Sequence, residues 1–330
     1  MVPAASENSL LRHQASHPAM GTVFSIAAYG PSAQHLHDHI ALCFREIDRL
    51  DDLMSHYNPA SEISSINRHA SATAVPVTPE LFNLLEHALQ LSVDTDGAFD
   101  ITVGPLMKEW GFFCGCGRLP DQPALARSLQ QIGYRQIILD PAAHTVRFAR
   151  TGMELDLGAI GKGYAVDRVV TLLRAAGVAR ALVSSGTSSI YALGAPPGEP
   201  GWTISVCDPL DRRMQACSLR LRNMSISISG SYEKSFQLDG AVYSHLLDPR
   251  TGSPVKNMLM TAVTAAANTT SDALSTALFV SGLESAQRYL QHHPNLAALC
   301  YVPQPGSGLA QPVSLKSAAF ALPADSLLSF

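Results

Sequence analysis

Residues 154–167, which read ELDLGAIGKGYAVD, combine a cation, a carboxylate and three closely spaced glycines. Lys162 lies inside the glycine turn, and Asp156 lies just before it. Alternating apolar and acidic residues before the turn predict a strand, and the apolar periodicity of residues 164–176 predicts a helix after it. A glycine turn between a strand and a helix presents backbone N–H groups and the positive end of the helix to an anion. The stretch indicates a phosphate-sized site with a metal ion beside it, but it matches no standard phosphate-binding motif and is weak support alone.

Asp272 and Thr276 lie one turn apart in the helix predicted for residues 271–281, so both side chains point to the same side. Together with Ser275 they offer the hard oxygen ligands that Mg²⁺ prefers. The structural alternative is that Ser271 caps the helix, Asp272 complements the helix dipole and Thr276 faces the core. Spacing alone favours this alternative over a metal site.

Three further side chains have types suited to chemistry or ligand binding. His245 follows a predicted strand and precedes a turn-rich loop, so it is a candidate general base. A single histidine in that position is more often structural. Tyr57 and Phe99 have rings that can stack on a ligand, although aromatic side chains more often pack in the core.

Composition limits the class of protein. Of 330 residues, 46% are hydrophobic and 15% are charged, which predicts a folded domain with a large core. The net charge of −4 argues against a general nucleic-acid surface, and the absence of an apolar run of about 18 residues argues against a transmembrane helix. Residues 1–16 are predicted to be flexible. They carry no signal peptide or lipidation cysteine, which predicts a cytoplasmic protein, or a periplasmic one if the N-terminus was trimmed.

The six cysteines are scattered along the chain. Only Cys114 and Cys116 are close, and their C-G-C spacing is not that of a zinc site. The pattern favours reduced thiols, with Cys43 and Cys300 in the core. Glycine and proline between residues 114 and 123 predict an exposed excursion of the chain.

The order of the predicted elements favours α+β packing over a Rossmann sheet, because strands and helices do not alternate strictly. Helices are predicted at 34–54, 78–95 and 124–132, with a short helix after Ser61. Strands are predicted at 17–29, 136–139, 145–148, 181–185, 202–206, 217–228 and 260–267, and a hairpin at 235–245 around Asp239 and Gly240.

Six motifs in order resemble those of the FAD:protein FMN transferase (ApbE) family. They are AMGT, HYNPASEISSIN, GAFDITVGPL, DLGAIGKGYAVD, HLLDPRTGSP and TSDALSTALFVSG. Their order and spacing match from about Met20 to Gly282, which is most of the chain. Six motifs in register are far more specific than any one of them, and they outweigh the structural alternatives given above.

The resemblance implies a Mg²⁺-dependent transfer in which FAD is cleaved at its pyrophosphate, FMN is joined to a threonine or serine of a target flavoprotein, and AMP leaves. It also implies a single α+β unit with a T-fold-like core over residues 17–330. Positions similar to the family's FAD contacts are Met20, Tyr57, Ala98, Phe99, Asp100, Asp156, Lys162 and Leu246. Positions similar to its metal site are Ala159, through its carbonyl, Asp272, Ser275 and Thr276. His245 matches the histidine near the reacting phosphate.

One departure from the family pattern follows the central helix. Where members commonly have Gly-Gly-Asp or Gly-Gly-Asn, this chain has Ser185, Gly186 and Thr187. A hydroxyl therefore replaces a carboxylate or amide. Two alternatives to the transferase stay open at this point: an FAD pyrophosphatase that yields FMN and AMP, and an FAD-binding protein without turnover.

Overall fold

The computed structural model describes residues 10–304, 306, 309–319 and 327–329, which form seven α-helices and several antiparallel sheets. The helices are α1 (Ala33–Met54), α2 (Glu62–His69), α3 (Pro79–Asp94), α4 (Gly104–Glu109), α5 (Gln122–Gln130), α6 (Gly161–Ala175) and α7 (Asn268–Gln291). The strands are β1 (Leu11–Ala19), β2 (Thr22–Gly30), β3 (Val75–Pro76), β4 (Ile137–Asp140), β5 (Thr145–Phe148), β6 (Arg180–Ser185), β7 (Ser189–Leu193), β8 (Trp202–Cys207), β9 (Gln215–Arg222), β10 (Met224–Gly230), β11 (Ser235–Leu238), β12 (Ala241–Ser244), β13 (Leu247–Asp248), β14 (Ser253–Pro254), β15 (Met260–Ala265), β16 (Ala297–Pro303), β17 (Ala310–Lys316) and β18 (Leu327–Ser329). The predicted α+β class is confirmed.

An eight-stranded antiparallel sheet forms the centre, in the order β1-β2-β6-β7-β10-β15-β16-β17. Helices α1, α6 and α7 cover one face, where Ile26 of β2, Ile40 of α1 and Leu274 of α7 share the main core. The three-stranded sheet β8-β9-β18 covers the other face through a second apolar cluster, which includes Trp202 and Ile226. Strand β10 shows why both faces are covered. Its isoleucines point to the small sheet and its alternate serines point to α7.

The predicted strand at 17–29 is in fact a hairpin of β1 and β2. Met20 and Gly21, with φ of 49° and 69°, form the two-residue turn that joins them. Positive φ at both positions is typical of a type I′ turn, whose twist fits paired strands. Since β1 begins at Leu11, the prediction of a flexible segment is wrong for residues 11–16, and residues 1–9 lie outside the described residues.

Local sequence signals located the helices well. Helices α1, α3 and α5 confirm the predictions at 34–54, 78–95 and 124–132. Ser61 caps α2 as predicted, because its hydroxyl accepts a hydrogen bond from the backbone N–H of Ser64 at 2.9 Å. The hairpin around Asp239 and Gly240 is also confirmed.

Three further predictions differ from the structure. The strand expected at 217–228 is divided into β9 and β10 by Asn223, whose φ of 50° lets the chain pass from one sheet to the other. The strand expected before the glycine turn is only an isolated bridge between Val103 and Glu154. Ser271 is not a helix cap, because α7 already begins at Asn268.

The cysteine prediction is correct for the core and wrong for the close pair. Cys43 and Cys300 are buried free thiols. Cys114 and Cys116 form a disulfide, because Gly115 between them adopts a φ of 66° and brings the two side chains together. Residues 114–123 are largely exposed, as predicted. Within the described part of the chain, no helix has both the length and the apolar character needed to span a bilayer.

Candidate active site

A cavity of about 440 Å³ lies between the N-terminus of α6, helix α7 and the loops on either side of β11 and β12. It collects residues from distant parts of the chain. The predicted site residues that line it are Met20, Tyr57, Ala98, Phe99, Asp100, Asp156, Ala159, Lys162, His245, Leu246, Asp272 and Thr276. Ser275 is the predicted residue that does not line it.

Asp272 is fixed where α6 and α7 touch. One carboxylate oxygen accepts a hydrogen bond from the backbone N–H of Gly163 at 2.8 Å, and the other accepts one from the hydroxyl of Ser189 at 2.9 Å. Position 163 has no room for a side chain, because the Asn268 carbonyl and the Asp272 Cβ occupy that space. Burial raises the pKa of the Asp272 carboxyl, while the charge of Lys162 and both hydrogen bonds oppose the rise. Each oxygen keeps a lone pair for a further ligand.

Thr276 belongs to a network of hydrogen-bonded hydroxyl groups that also includes Ser229 and Ser275. Ser275 is fully buried and donates to the backbone carbonyl of Asp272 at 2.8 Å. Its oxygen is also 2.8 Å from the Ser229 hydroxyl, which lies 3.1 Å from that of Thr276. Ser229 lines the cavity and Ser275 does not, so Ser275 orients its neighbours and Ser229 offers an oxygen to a ligand.

The glycine turn does not offer the amides of Gly161 and Gly163 to an anion, although the sequence suggested this for its backbone N–H groups. The backbone N–H of Gly161 donates to the Leu157 carbonyl and that of Gly163 donates to Asp272, so these two amides are not free for an anion. The ammonium of Lys162 donates to the Gly158 carbonyl at 2.9 Å and keeps two protons for a ligand. A phosphate in the cavity would therefore meet Lys162 rather than those amides.

His245 is held in one tautomer by a main-chain group. The Lys234 carbonyl accepts the backbone N–H of His245 at 2.9 Å and its ring Nδ1 at 3.0 Å. A carbonyl can only accept, so Nδ1 carries the proton and Nε2 is left as an acceptor. Burial lowers the pKa of His245 to about 4, helped by the charges of Lys234 and Lys162 and opposed by the bond to the carbonyl. His245 is therefore neutral at neutral pH and able to accept a hydrogen bond.

The two other predicted carboxylates mainly hold loops. Asp100 accepts hydrogen bonds from the backbone N–H and hydroxyl of Thr102 and from the backbone N–H of Tyr134. Asp156 accepts one from the backbone N–H of Gly158 at 2.8 Å. Both line the cavity, and their predicted contacts with FAD stay predictions.

Aromatic side chains form the opposite wall. The ring of His56 stacks on Phe113 with centroids 4.2 Å apart and lies 3.8 Å from the ring of Tyr57. The Tyr57 hydroxyl donates to the Phe113 carbonyl at 3.4 Å, and Phe112 makes an edge contact with His245 at 6.3 Å. We call residues 110–118 the aromatic loop. It connects Tyr57 on one side of the cavity to His245 on the other.

The whole chain can be compared with known proteins. The sequence profile of the ApbE family matches residues 20–300. The chain belongs to the ApbE family. A Treponema pallidum protein named FAD:protein FMN transferase is 32% identical over 324 residues, which cover 92% of this chain and 89% of that protein. A Salmonella typhimurium protein of the same name is 32% identical over 282 residues, which cover 82% of this chain and 79% of that protein.

Solved structures of ApbE proteins share this fold. The ApbE protein of Thermotoga maritima superimposes with a TM-score of 0.83 at 28% identity, covering 94% of this chain and 98% of that one. The flavin transferase ApbE of Vibrio cholerae superimposes with a TM-score of 0.82 at 26% identity, with the same coverage. The predicted family and fold are both confirmed.

Sequence reasoning missed several polar side chains that line the cavity of this ApbE protein, among them Asp51, His56, Ser229, Glu233 and Lys234. The alternating serines of SISIS were a usable signal for Ser229, because they place hydroxyls on one face of a strand. Thr187, the departure from the family pattern, is exposed and does not line the cavity. Its hydroxyl lies 3.5 Å from the guanidinium of Arg212, and the next residue, Ser188, reaches the cavity instead.

Proposed function

We propose that this chain is a Mg²⁺-dependent FAD:protein FMN transferase. It cleaves the pyrophosphate of FAD, joins FMN by a phosphoester bond to a threonine or serine of a target flavoprotein, and releases AMP. One observation carries the proposal: a single cavity is lined by Lys162, Asp272, Thr276 and His245. They meet there although more than a hundred residues separate Lys162 from Thr276 in the sequence. The names of the relatives support the same activity.

The cavity suits a flavin dinucleotide. Its volume lies within the range of about 300–1,000 Å³ that is usual for cofactor and small-molecule sites. Tyr57 offers an aromatic surface for the isoalloxazine ring, Phe99 lines the cavity from the core, and the free protons of Lys162 can reach phosphate oxygens. The tyrosine is exposed, so a ligand can approach its ring without displacing core residues.

The oxygen groups near α7 suit Mg²⁺. The Asp272 carboxylate, the hydroxyls of Thr276 and Ser229, and Ala159, whose carbonyl is the predicted ligand, all line the cavity. Mg²⁺ prefers such hard oxygens and usually binds one or two carboxylates together with substrate phosphates. When bound there, it would neutralise the charge that develops on the transferred phosphoryl group.

The acceptor hydroxyl is handled by His245. Nε2 accepts a hydrogen bond from this hydroxyl, and the bond orients the hydroxyl oxygen toward the FMN phosphorus. Nε2 then receives the proton as the new phosphorus–oxygen bond forms. The bond from that phosphorus to the AMP oxygen breaks, and AMP departs with the bonding pair. The bond from Nδ1 to the Lys234 carbonyl keeps Nε2 aimed into the cavity during these steps.

Covalent flavin on a second protein is the direct test. The chain is incubated with FAD, Mg²⁺ and candidate flavoproteins, and flavin fluorescence is read in a denaturing gel with and without EDTA. The proposal expects a fluorescent acceptor band that EDTA abolishes. Free FMN and AMP without labelled protein would instead identify a pyrophosphatase, and intact FAD after long incubation would identify a flavin-binding protein.

The His245→Ala variant tests the proposed mechanism in the same assay. We expect FAD binding near that of the wild type and transfer lower by about two to four orders of magnitude, because the base is lost. His69→Ala, which removes an exposed histidine on α2, is the matched control. Unchanged transfer by His245→Ala would remove the histidine from the mechanism.

A further inference from the structure

A disulfide closes the tip of the aromatic loop, which we define as residues 111–117. Cys114 and Cys116 form this bridge, and both are exposed, so thiols in solution can reach it. The remaining four cysteines are buried or half-buried free thiols, namely Cys43, Cys207, Cys217 and Cys300. Exposed disulfides exchange with other thiols more readily than buried ones do. The bridge is therefore the sulfur group of this chain that is most accessible to redox chemistry.

The bridge is joined directly to residues that line the active-site cavity. Phe112 and Phe113 line the cavity and immediately precede Cys114 in the chain. The Phe113 carbonyl accepts the hydroxyl of Tyr57 at 3.4 Å, and the Phe112 ring makes its edge contact with His245. The conformation of the tip therefore affects the wall of the cavity on both sides.

The backbone of the tip has few other restraints. Gly111, Gly115 and Gly117 have positive φ values of 73°, 66° and 43°, and glycine loses more conformational freedom on ordering than any other residue. Inside the tip, the Phe112 carbonyl accepts the N–H of Gly115 at 3.4 Å. The Gly111 carbonyl accepts the N–H groups of Cys116 and Gly117 at 3.2 and 3.4 Å. All three hydrogen bonds are longer than the usual distance of about 2.9–3.0 Å, so the disulfide is an important restraint on the tip.

We propose that the bridge is a thiol–disulfide exchange site through which a dithiol reductant weakens FAD binding. A thiolate of the reductant attacks one sulfur, the bond between Cys114 and Cys116 breaks, and the departing sulfur keeps the bonding pair and takes up a proton. The second thiol of the reductant then displaces the other cysteine, which is also protonated, and the reductant leaves as a disulfide. The chain gains two electrons and two protons, and a disulfide oxidant reverses the reaction. This inference rests on the proposed use of FAD.

The effect on FAD follows from the freedom of the tip. While the bridge is closed, Phe112 and Phe113 are held at the cavity before the ligand arrives. When the bridge is reduced, the tip gains conformational freedom, and ordering it around the ligand uses part of the binding free energy. We expect reduction to weaken FAD binding by about three- to tenfold, which is the scale of the entropy that closing a ring of three residues removes.

The test compares oxidised wild type with wild type that has been reduced by dithiothreitol and desalted without oxygen. Thiol counting in denaturant should give four thiols for the oxidised form and six for the reduced form. FAD binding is measured by calorimetry in EDTA, so that the dinucleotide is not cleaved. The oxidised form should bind FAD about three- to tenfold more tightly than the reduced form.

Two double variants assign the response to the bridge. Cys114→Ser/Cys116→Ser should bind FAD as weakly as the reduced wild type, and reduction should not change its affinity. Cys207→Ser/Cys217→Ser is the matched control, because it removes two half-buried thiols and keeps the bridge. Its affinity should respond to reduction as that of the wild type does.

The outcomes separate this inference from the function on which it rests. Failure of the oxidised wild type to bind FAD would contradict the proposed function. Equal FAD affinity before and after reduction would overturn the inference alone, as would six thiols in the oxidised protein. A response to reduction that persists in Cys114→Ser/Cys116→Ser would assign the effect to another thiol and overturn the proposal. If that variant does not fold, the comparison of the two wild-type forms still decides.

Discussion

The two walls of the cavity are built by different means. The helix wall consists of the N-terminus of α6, helix α7 and the serine face of β10, and hydrogen bonds join Asp272, Ser275 and Ser229 to neighbouring groups of this wall. Asp272 is 4% exposed and Ser275 is not exposed at all. The loop wall consists of the aromatic loop, the β11–β12 hairpin and the segment that carries Tyr57. There Tyr57 is 65% exposed, and Val242 on the hairpin is 61% exposed.

This difference matches the two demands of the proposed reaction. A phosphoryl group and its metal need oxygens at fixed positions, and regular elements hold side chains more accurately than loops do. A protein acceptor needs a surface that is accessible, and exposed loops supply it. We expect changes in the helix wall to abolish chemistry or destabilise the fold, and changes in the loop wall to alter affinity.

The largest effect is expected from Asp272→Ala. Loss of the carboxylate removes the proposed metal ligand and leaves the Gly163 N–H and the Ser189 hydroxyl without their acceptor. Metal-dependent transfer should disappear, and the free energy of unfolding should fall by about 1–3 kcal/mol because buried donors lose their partners. Transfer assays and thermal unfolding measure the two effects, with the exposed Asp38→Ala as control. A variant that is fully active in chelator would contradict the metal assignment.

A smaller effect is expected from Gly163→Ala, compared with Gly161→Ala in the same helix. A Cβ at position 163 would overlap the Asn268 carbonyl and lie 2.6 Å from the Asp272 Cβ, whereas one at position 161 would lie 3.7 Å from its nearest neighbour, Met54 Cε. We expect Gly163→Ala to lower the free energy of unfolding by about 1–3 kcal/mol, as overpacked positions do. Gly161→Ala should be nearly neutral. Equal melting temperatures for the two variants would show that the contact between α6 and α7 is loose.

The smallest effect is a pH dependence in the loop wall. The pKa of His245 falls from 6.5 to about 4 on folding, so the unfolded chain binds the proton more tightly. The stabilising contribution of neutral His245 is present above pH 6.5 and is lost as the pH falls toward 4. The ring C2–H chemical shift followed by NMR, assigned with His245→Gln, measures this pKa. A measured pKa near 6.5 for His245 would mean that its ring is exposed to solvent and is not buried by the loop wall.

Much of the helix wall could be predicted from the sequence. The spacing of Asp272 and Thr276 places them on one side of a helix, and periodicity located α6 and α7. The motif register then placed Lys162 beside them. Periodicity did not predict the start of α7, which begins three residues earlier than expected. Ser271 is therefore not a cap but a buried hydrogen-bond partner of Ser225 and Ser227.

The loop wall was less predictable for physical reasons. Glu233 and Lys234 sit in a turn, and turn residues carry no periodic signal that tells which side chains face a cavity. The disulfide between Cys114 and Cys116 depends on the backbone conformation of Gly115, which the letters C-G-C leave open. His56 lines the cavity and stacks on Phe113 of the aromatic loop, which is a contact between segments distant in sequence.

The double hydrogen bond at the Lys234 carbonyl affects how this enzyme can be altered. Since the group that fixes the His245 tautomer belongs to the main chain, no single side-chain replacement in the hairpin can delete it. A library that randomises the exposed positions of β11 and β12 would therefore vary the loop wall while the imidazole keeps its orientation. Under the proposed function, changes to the surface that an acceptor meets and changes to the chemistry become separate engineering problems.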